Sequence, residues 1–231
     1  NGHPGKSLCM AGNAQRAYDA FGCRYIPECG MPRFMVWAPH AREVSAVGDF
    51  NGWDGYAHPM WKRDDETPVL FLPGLMHGDI YNYRVVGADG NTVLKADPFA
   101  FHAETGPATG SKVWSIEGYP WQDGAYMAGR GQKDAIRSPM SIYEVHMGSW
   151  RKKEGEVFPN YRGVADELAA YCKEMNYTHV ELLPITEYPY EGSCGYQVTG
   201  FFAPPTRHRT PQALTYFVRP PPPRPTRLTI L

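Results

Sequence analysis

The sequence predicts an antiparallel β-sandwich followed by the beginning of a parallel α/β domain. Two patterns support this fold class. Short apolar segments alternate with Gly and Pro turn pairs from residue 34 to about residue 100, which is typical of antiparallel strands. From residue 141 the pattern changes to a strand, an amphipathic helix and a second strand, and a crossover of that length implies parallel pairing.

Length and composition exclude several classes of protein. The 231 residues suffice for one large or two modest domains, and the apolar share of 42% is typical of a globular protein. A net charge of −1 provides no basic surface for nucleic acid or a membrane, and no apolar run approaches the roughly 18 residues of a membrane span. The five cysteines lack metal-binding spacing, so we expect free thiols, a cytoplasmic location and neither metal nor cofactor.

The first domain is predicted over residues 30–102, after a lead-in of residues 1–29. Its strands are predicted at 34–38, 44–48, 69–72, 80–86 and 92–95. The segment 80–86 alternates so that one face can meet the core and the other solvent. The pair Asp89-Gly90 is a hairpin signal. The pair Asp97-Pro98 ends the domain, because proline cannot continue a strand ladder.

The second domain is predicted over residues 139–218, after a Gly/Pro-rich connector of residues 103–138. It contains strands at 141–146 and 178–183, with a helix between them that begins after Asn160 as its N-cap. Residues 219–231 form an aberrant proline-rich tail with no pattern that could complete the sheet. Two interpretations of this tail stay open: a shifted reading frame, or a polyproline ligand for an SH3-type partner.

Three blocks of sequence resemble the α-glucan (glycogen) branching enzymes. They are V-W-A-P-H-A-R-E-V through G-D-F-N-G-W-D-G at 36–55, L-K-A-D-P-F-A at 94–100, and S-I-Y-E-V-H-M-G-S-W at 141–150 with H-V-E-L-L-P-I at 179–185 and G-Y-Q-V-T-G at 195–200. The resemblance implies an immunoglobulin-like starch-binding sandwich (CBM48-type) followed by the first two strands of a truncated (β/α)₈ TIM barrel of glycoside hydrolase family 13. Debranching enzymes and trehalohydrolases share this layout, and the third block favours branching enzymes.

The resemblance implies an activity in glycogen biosynthesis. Such enzymes cut an α-1,4-glucan (glycogen, starch or amylose) and rejoin it through an α-1,6 bond with retention, which requires two carboxyl groups roughly 5 Å apart. In the family these groups follow barrel strands four and five, and a third carboxylate follows strand seven. All three would lie beyond Leu231. We therefore predict no catalytic residue in this chain and no activity of the chain alone. The alternative is a non-catalytic α-glucan-binding module.

The same resemblance indicates candidate substrate-binding residues. Tyr196 matches the family tyrosine that stacks on the sugar beside the scissile bond, and Gln197 supports the same loop. Trp53 and Arg84 match a sugar-stacking tryptophan and a basic residue that contacts hydroxyl groups in related glycogen-binding domains. Two structural alternatives stay open: Tyr196 as filler of its own loop, and Trp53 as a core or interface residue.

Several other polar residues near the predicted strands are expected to be structural. Glu144 and Glu181 lie within strands, and Glu187 follows the second strand without a matched partner carboxylate. His146 ends the first strand, where a lone histidine more often packs or forms hydrogen bonds than acts as a base.

The chain departs from the family wording at three places. Leu94 stands where a second stacking tryptophan is expected, and Cys194 stands where branching enzymes carry tryptophan before G-Y-Q. Residues 204–209 differ from the family pattern, which approximates A-P-T-S-R-Y-G-T-P. The first departure should weaken glucan binding by the sandwich, and the other two should alter the acceptor side of the barrel site.

Overall fold

A computed structural model of the protein describes residues 12–63, 66–132, 134, 136–218 and, as backbone, 229–230. The amino-terminal unit is a sandwich of two antiparallel sheets, and the short helix Ala17–Ala20 (α1) precedes its first strand. The first sheet contains Gly22–Ile26 (β1), Met31–Met35 (β2), Trp61–Lys62 (β4) and Pro68–Phe71 (β5). The second contains Glu43–Gly48 (β3), Ile80–Val86 (β6), Thr92–Lys95 (β7) and Ser111–Lys112 (β8). The sheet orders are β1-β2-β5-β4 and β3-β6-β7, with β8 pairing β6.

The two sheets bury an aromatic core between them. Phe34 of β2 meets Tyr81 of β6 edge to face, with ring centroids 5.0 Å apart, and both side chains are fully buried. Tyr83 lies on the same face of β6, since side chains two apart on a strand point the same way. The predicted alternation of segment 80–86 is therefore observed, with its tyrosines on the core side.

A buried carboxylate, Asp97, lies at one edge of this core. Its Oδ2 accepts hydrogen bonds from the hydroxyls of Tyr81 at 2.6 Å and Tyr83 at 3.2 Å, and from the backbone N–H of Cys23 at 3.1 Å. Its Oδ1 accepts from the N–H of Phe99 at 2.9 Å. Burial raises the pKa of Asp97 above its ordinary value, and burial next to this carboxyl raises the pKa of both tyrosines well above theirs.

The sandwich is longer than the predicted residues 30–102 at both ends. Residue 30 lies in the turn between β1 and β2, which pair antiparallel along their whole length, so the predicted lead-in supplies a strand of the sheet. The hairpin fixes the register of β2, which therefore runs over Met31–Met35 rather than the predicted 34–38. The predicted connector 103–138 contains β8, which pairs with β6.

The second unit is parallel, as predicted. Ile142–His146 (β9) pairs in parallel with His179–Leu183 (β10), and the helix Tyr161–Glu174 (α3) connects them, after a short helix Gly124–Gly129 (α2) in the connector. Asn160 caps α3, its side-chain oxygen accepting from the N–H of Gly163 at 2.8 Å. One face of both strands packs against α3 and against the helix Pro211–Val218 (α4). Among the described residues no helix is long and apolar enough to cross a membrane.

The sheet extends past β10 into the predicted tail. Thr229–Ile230 (β11) pairs in parallel with β10, giving the order β11-β10-β9. The tail is predicted to contain no pattern that could complete the sheet, and this two-residue strand adds one short pairing without completing it. The proline run of the predicted tail 219–231 lies outside the described residues.

The two units contact each other through aromatic and polar groups. The rings of Phe99 and Phe202 stack with centroids 5.2 Å apart. Trp114 of the connector donates from Nε1 to Gln212 of α4 at 3.0 Å. The hydroxyl of Thr206 donates to the carbonyl of Ala103 at 2.8 Å.

The turn before α4 contains a strained backbone position. Arg209 has φ 99° and ψ −143°, a region that is almost restricted to glycine. This residue is one of the predicted departures from the family pattern, which has glycine before Thr-Pro. Its side chain is exposed. The arginine therefore strains the backbone at a turn that would suit glycine.

We predict that Asp97→Ala lowers the free energy of unfolding by about 3–5 kcal/mol, because the hydroxyls of Tyr81 and Tyr83 and one buried N–H lose their acceptor. Asp97→Asn keeps one acceptor oxygen and should cost about 1–2 kcal/mol. Urea unfolding followed by tryptophan fluorescence measures both. Equal effects of the two substitutions would contradict this interpretation.

A comparison of the wild type with Asp97→Asn tests the pKa of Asp97. A raised pKa means that the folded chain holds this proton more tightly than the unfolded chain does. The carboxyl therefore favours folding below its ordinary pKa of 3.8, and stability falls as the pH rises above that value. Asp97→Asn should remove this part of the slope in a plot of unfolding free energy against pH.

We predict that Arg209→Gly raises the free energy of unfolding by about 1 kcal/mol, because glycine adopts the observed backbone angles without steric strain. Arg209→Ala is the matched control, since it removes the charge and keeps the Cβ. Thermal unfolding should show a higher Tm for the glycine variant only. An equal gain in both variants would assign the effect to charge.

Candidate functional site

The loop of residues 49–58 joins β3 to β4 and is fixed by Asn51. The Oδ1 of Asn51 accepts from the N–H of Gly48 at 3.0 Å. Its Nδ2 donates to the carbonyl of Ala46 at 3.1 Å and lies 2.9 Å from Nδ1 of His58. One amide thus joins the start and the end of the loop, which holds the intervening residues in place.

Trp53 lies at the tip of this loop. Its φ is 63°, in the left-handed region, and its backbone N–H donates to the carbonyl of Gly48 at 3.0 Å. Its indole Nε1 donates to Oδ1 of Asp49 at 2.9 Å, and the residue is 41% exposed. It is not among the residues of the sandwich core. The ring is therefore held in a defined orientation with part of its surface open.

Arg84 lies beneath the same loop on the outer face of β6. Its guanidinium carbon is 4.8 Å from the ring centroid of Tyr56, and its Nη1 is 3.4 Å from Oε2 of Glu43. The side chain is only 13% exposed. Gly55 permits this packing, because a Cβ there would lie 2.3 Å from the Cδ of Arg84.

Leu94 completes this surface. It lies directly across from Arg84 in the β6–β7 pairing and is 56% exposed. We call Trp53, Tyr56, Arg84 and Leu94 the sandwich surface. Tyr56 was not predicted from the sequence, and the signal available was its position three residues after Trp53, next to a glycine.

Tyr196 and Gln197 lie on the second unit, so the four predicted binding residues divide between two places. Tyr196 and Gln197 belong to residues 184–200, which follow the carboxyl end of β10 and which we call the strand-end loop. Gly195 has φ 91° and packs against Pro184, where a Cβ would lie 2.2 Å from the proline ring. The backbone of Tyr196 donates to the carbonyl of Ser193 at 3.0 Å. The tyrosine is 82% exposed and Gln197 is also exposed.

Glu187 is buried at the start of the strand-end loop. Its Oε2 accepts from the N–H of Thr206 at 2.6 Å, and its Oε1 accepts from the N–H of Tyr188 at 3.0 Å. Arg207, which sequence reasoning missed, lies 3.8 Å from the same carboxylate. These contacts indicate a structural role for the carboxylate of Glu187.

Glu144 and Glu181 lie opposite each other in the β9–β10 pairing. Their side chains are on the face opposite to the one that packs on α3. His146 lies on the same face at the end of β9, and its Nδ1 is 3.1 Å from the hydroxyl of Ser149. Within the described ranges no three His, Cys, Asp or Glu side chains are grouped as a metal site requires, and Cys23, Cys29, Cys172 and Cys194 are free thiols.

Two solved structures share the fold of this chain. One is a 1.4 Å crystal structure of a Salmonella typhimurium protein assigned as an alpha amylase, with a TM-score of 0.65 and 23% identity over 86% of this chain and 30% of that one. The other is the catalytic module of the multi-modular glycogen-degrading pneumococcal virulence factor SpuA, with a TM-score of 0.62 and 19% identity over 81% of this chain and 32% of that one.

Comparison of sequences finds relatives of higher identity than these two structures. Residues 20–100 match carbohydrate-binding module 48 (isoamylase N-terminal domain). The 1,4-alpha-glucan branching enzymes GlgB of Albidiferax ferrireducens and Desulfitobacterium hafniense are 47% and 44% identical to this chain over 91% of its length. The chain spans 34% of the length of each of these relatives. Over 91% of its length the chain is therefore similar to 1,4-alpha-glucan branching enzymes, and its residues 20–100 match a module-48 carbohydrate-binding domain.

Proposed function

We propose that this chain is part of a cytoplasmic enzyme that cuts α-1,4-glucan and transfers the piece to form an α-1,6 branch, and that its sandwich binds the glucan. The single observation that carries the binding proposal is the fixed, part-exposed ring of Trp53 on the sandwich surface. The relatives that match most of the chain are named as branching enzymes, which supports the proposed reaction.

The sandwich surface has the chemistry that a glucan chain requires. An aromatic ring packs against the C–H face of a sugar when it is flat and accessible, and the Asp49 hydrogen bond fixes the Trp53 indole without covering it. Arg84 supports the sugar contact by holding the exposed ring of Tyr56, because its own side chain is only 13% exposed and its Nη1 pairs with Glu43. Leu94 offers a smaller apolar contact than a second tryptophan, so binding at this surface should be weak.

We further propose that β9, α3 and β10 form the first part of a (β/α)₈ barrel. In such barrels substrates bind at the carboxyl ends of the strands, and the strand-end loop follows the carboxyl end of β10. The 82% exposure of Tyr196 supports its role as a sugar-stacking residue, since a ring that filled its own loop would be buried. Gln197 lies next to it and is assigned the supporting role.

A non-catalytic glucan-binding role for the chain by itself is the second candidate. Glu187 is buried and bound to Thr206 and Arg207, which favours a structural role. Glu144 and Glu181 lie in the middle of their strands and not at the ends where barrel chemistry takes place. This candidate therefore assigns glucan binding to the chain and no catalytic role to Glu144, Glu181 or Glu187.

We predict that Trp53→Ala weakens binding of the chain to glycogen about tenfold, which corresponds to about 1.4 kcal/mol. The loss follows from removal of the stacking ring. Migration in native gels that contain increasing glycogen measures the affinity.

Trp61→Ala is the matched control for this experiment. Trp61 lies on β4 in the other sheet and is 71% exposed, so its removal deletes an equally large ring away from the sandwich surface. Leu94→Trp should strengthen binding by adding a second ring. Equal retardation of the wild type and Trp53→Ala would contradict glucan binding at this surface.

We predict that the 231-residue chain does not lower the iodine absorbance of amylose, because Glu144, Glu181 and Glu187 form no pair of carboxyl groups at the strand ends. A full-length branching enzyme from a relative is the positive control. A fall in absorbance at catalytic concentrations of the chain would show that it contains a complete active site.

A further inference from the structure

A buried arginine holds the beginning of the strand-end loop. The side chain of Arg207 is 4% exposed, and its guanidinium carbon lies 3.8 Å from the ring centroid of Tyr188. The guanidinium also lies 3.8 Å from Oε1 of Glu187, donates to the carbonyl of Tyr188 and forms an ion pair with Glu191. Its partners thus lie at both ends of residues 187–191. A planar group with five donors suits such a task better than a point charge does.

The held segment leads directly to the exposed tyrosine. Glu191 begins a short 3₁₀ turn, Glu191–Ser193, and the N–H of Tyr196 donates to the carbonyl of Ser193, the last residue of that turn, at 3.0 Å. Gly195 packs against Pro184, which fixes the backbone immediately before the tyrosine from the other side. The direction in which Tyr196 points is therefore set by the position of the turn.

The two ends of this arrangement differ in exposure. At the inner end, Glu187 is buried and also accepts from the N–H of Thr206 at 2.6 Å, so a change there would disturb the fold. At the outer end, the side chain of Glu191 is 54% exposed. The ion pair of Glu191 with Arg207 is thus the contact that can be changed without opening the interior.

We propose that Arg207 is a positioning residue for glucan binding, and that it orients Tyr196 through its ion pair with Glu191. This inference rests on the proposed role of Tyr196 as a sugar-stacking residue. Arg207 itself is enclosed by the protein and does not contact the sugar. The ion pair holds Glu191, the first residue of the turn, in place relative to the buried arginine. The last residue of the turn is hydrogen-bonded to the backbone of Tyr196, so the turn positions the tyrosine.

The test places a single 3-fluorotyrosine at position 196 of the full chain and records its ¹⁹F resonance without and with maltoheptaose. Glu191→Gln should move the resonance of the free protein toward that of free 3-fluorotyrosine and weaken maltoheptaose binding about fivefold, as expected for one charge-assisted hydrogen bond. Glu191→Asp keeps the charge, so its ¹⁹F resonance and its affinity for maltoheptaose should lie closer to the wild-type values than those of Glu191→Gln.

Glu167→Gln is the matched control. Glu167 lies on α3 and pairs with Lys153 at 3.3 Å, so the substitution neutralises a paired glutamate away from the strand-end loop. The resonance and the affinity should stay at their wild-type values. Equal changes in both glutamine variants, or none in Glu191→Gln, would overturn the proposal. If maltoheptaose fails to move the wild-type resonance while Glu191→Gln still does, the positioning contact stands and the proposed role of Tyr196 falls.

Discussion

One buried carboxylate connects the two sheets of the sandwich. Asp97 accepts the N–H of Cys23 from the first sheet and the hydroxyls of Tyr81 and Tyr83 from the second, while its own N–H donates to the hydroxyl of Ser111 on β8. These groups are buried, and a buried donor without an acceptor is costly. The position of β1 in the first sheet relative to β6 in the second therefore depends on this side chain.

A series of contacts leads from that carboxylate toward the second unit. The N–H of Phe99 donates to Asp97, and the ring of Phe99 stacks on that of Phe202. Nearby, the carbonyl of Ala103 accepts a hydrogen bond from the side chain of Thr206. The backbone of Thr206 in turn donates to Glu187 at the start of the strand-end loop. The sandwich and the strand-end loop are thus joined by direct contacts between side chains and backbone, rather than by the covalent connector alone.

Local signals allowed part of this structure to be predicted from the sequence. The bounds of β6 and β7 agree with the prediction, because alternation and a hairpin pair are local patterns, and the cap of α3 depends on one residue, Asn160. The roles of Asp97 and Arg207 escaped prediction because they come from contacts between distant parts of the chain. Apart from its local bond to Phe99, Asp97 binds side chains and backbone between 14 and 74 residues away, and its Asp-Pro pair indicated only the end of a strand. Tyr56 was missed because it lies in a loop and its partner Arg84 lies on β6, far along the chain.

The order of the strands along the chain has a consequence for biosynthesis. Every strand of the sandwich has been made once Lys112 is synthesised, whereas β9 begins only at Ile142. Domains generally fold as units with the amino-terminal one first, so the sandwich can close while the parallel unit is still being translated. Phe99 and Ala103 are then already in place when Phe202 and Thr206 leave the ribosome. The folded carbohydrate-binding domain thereby provides a surface on which the α/β unit assembles as it is translated.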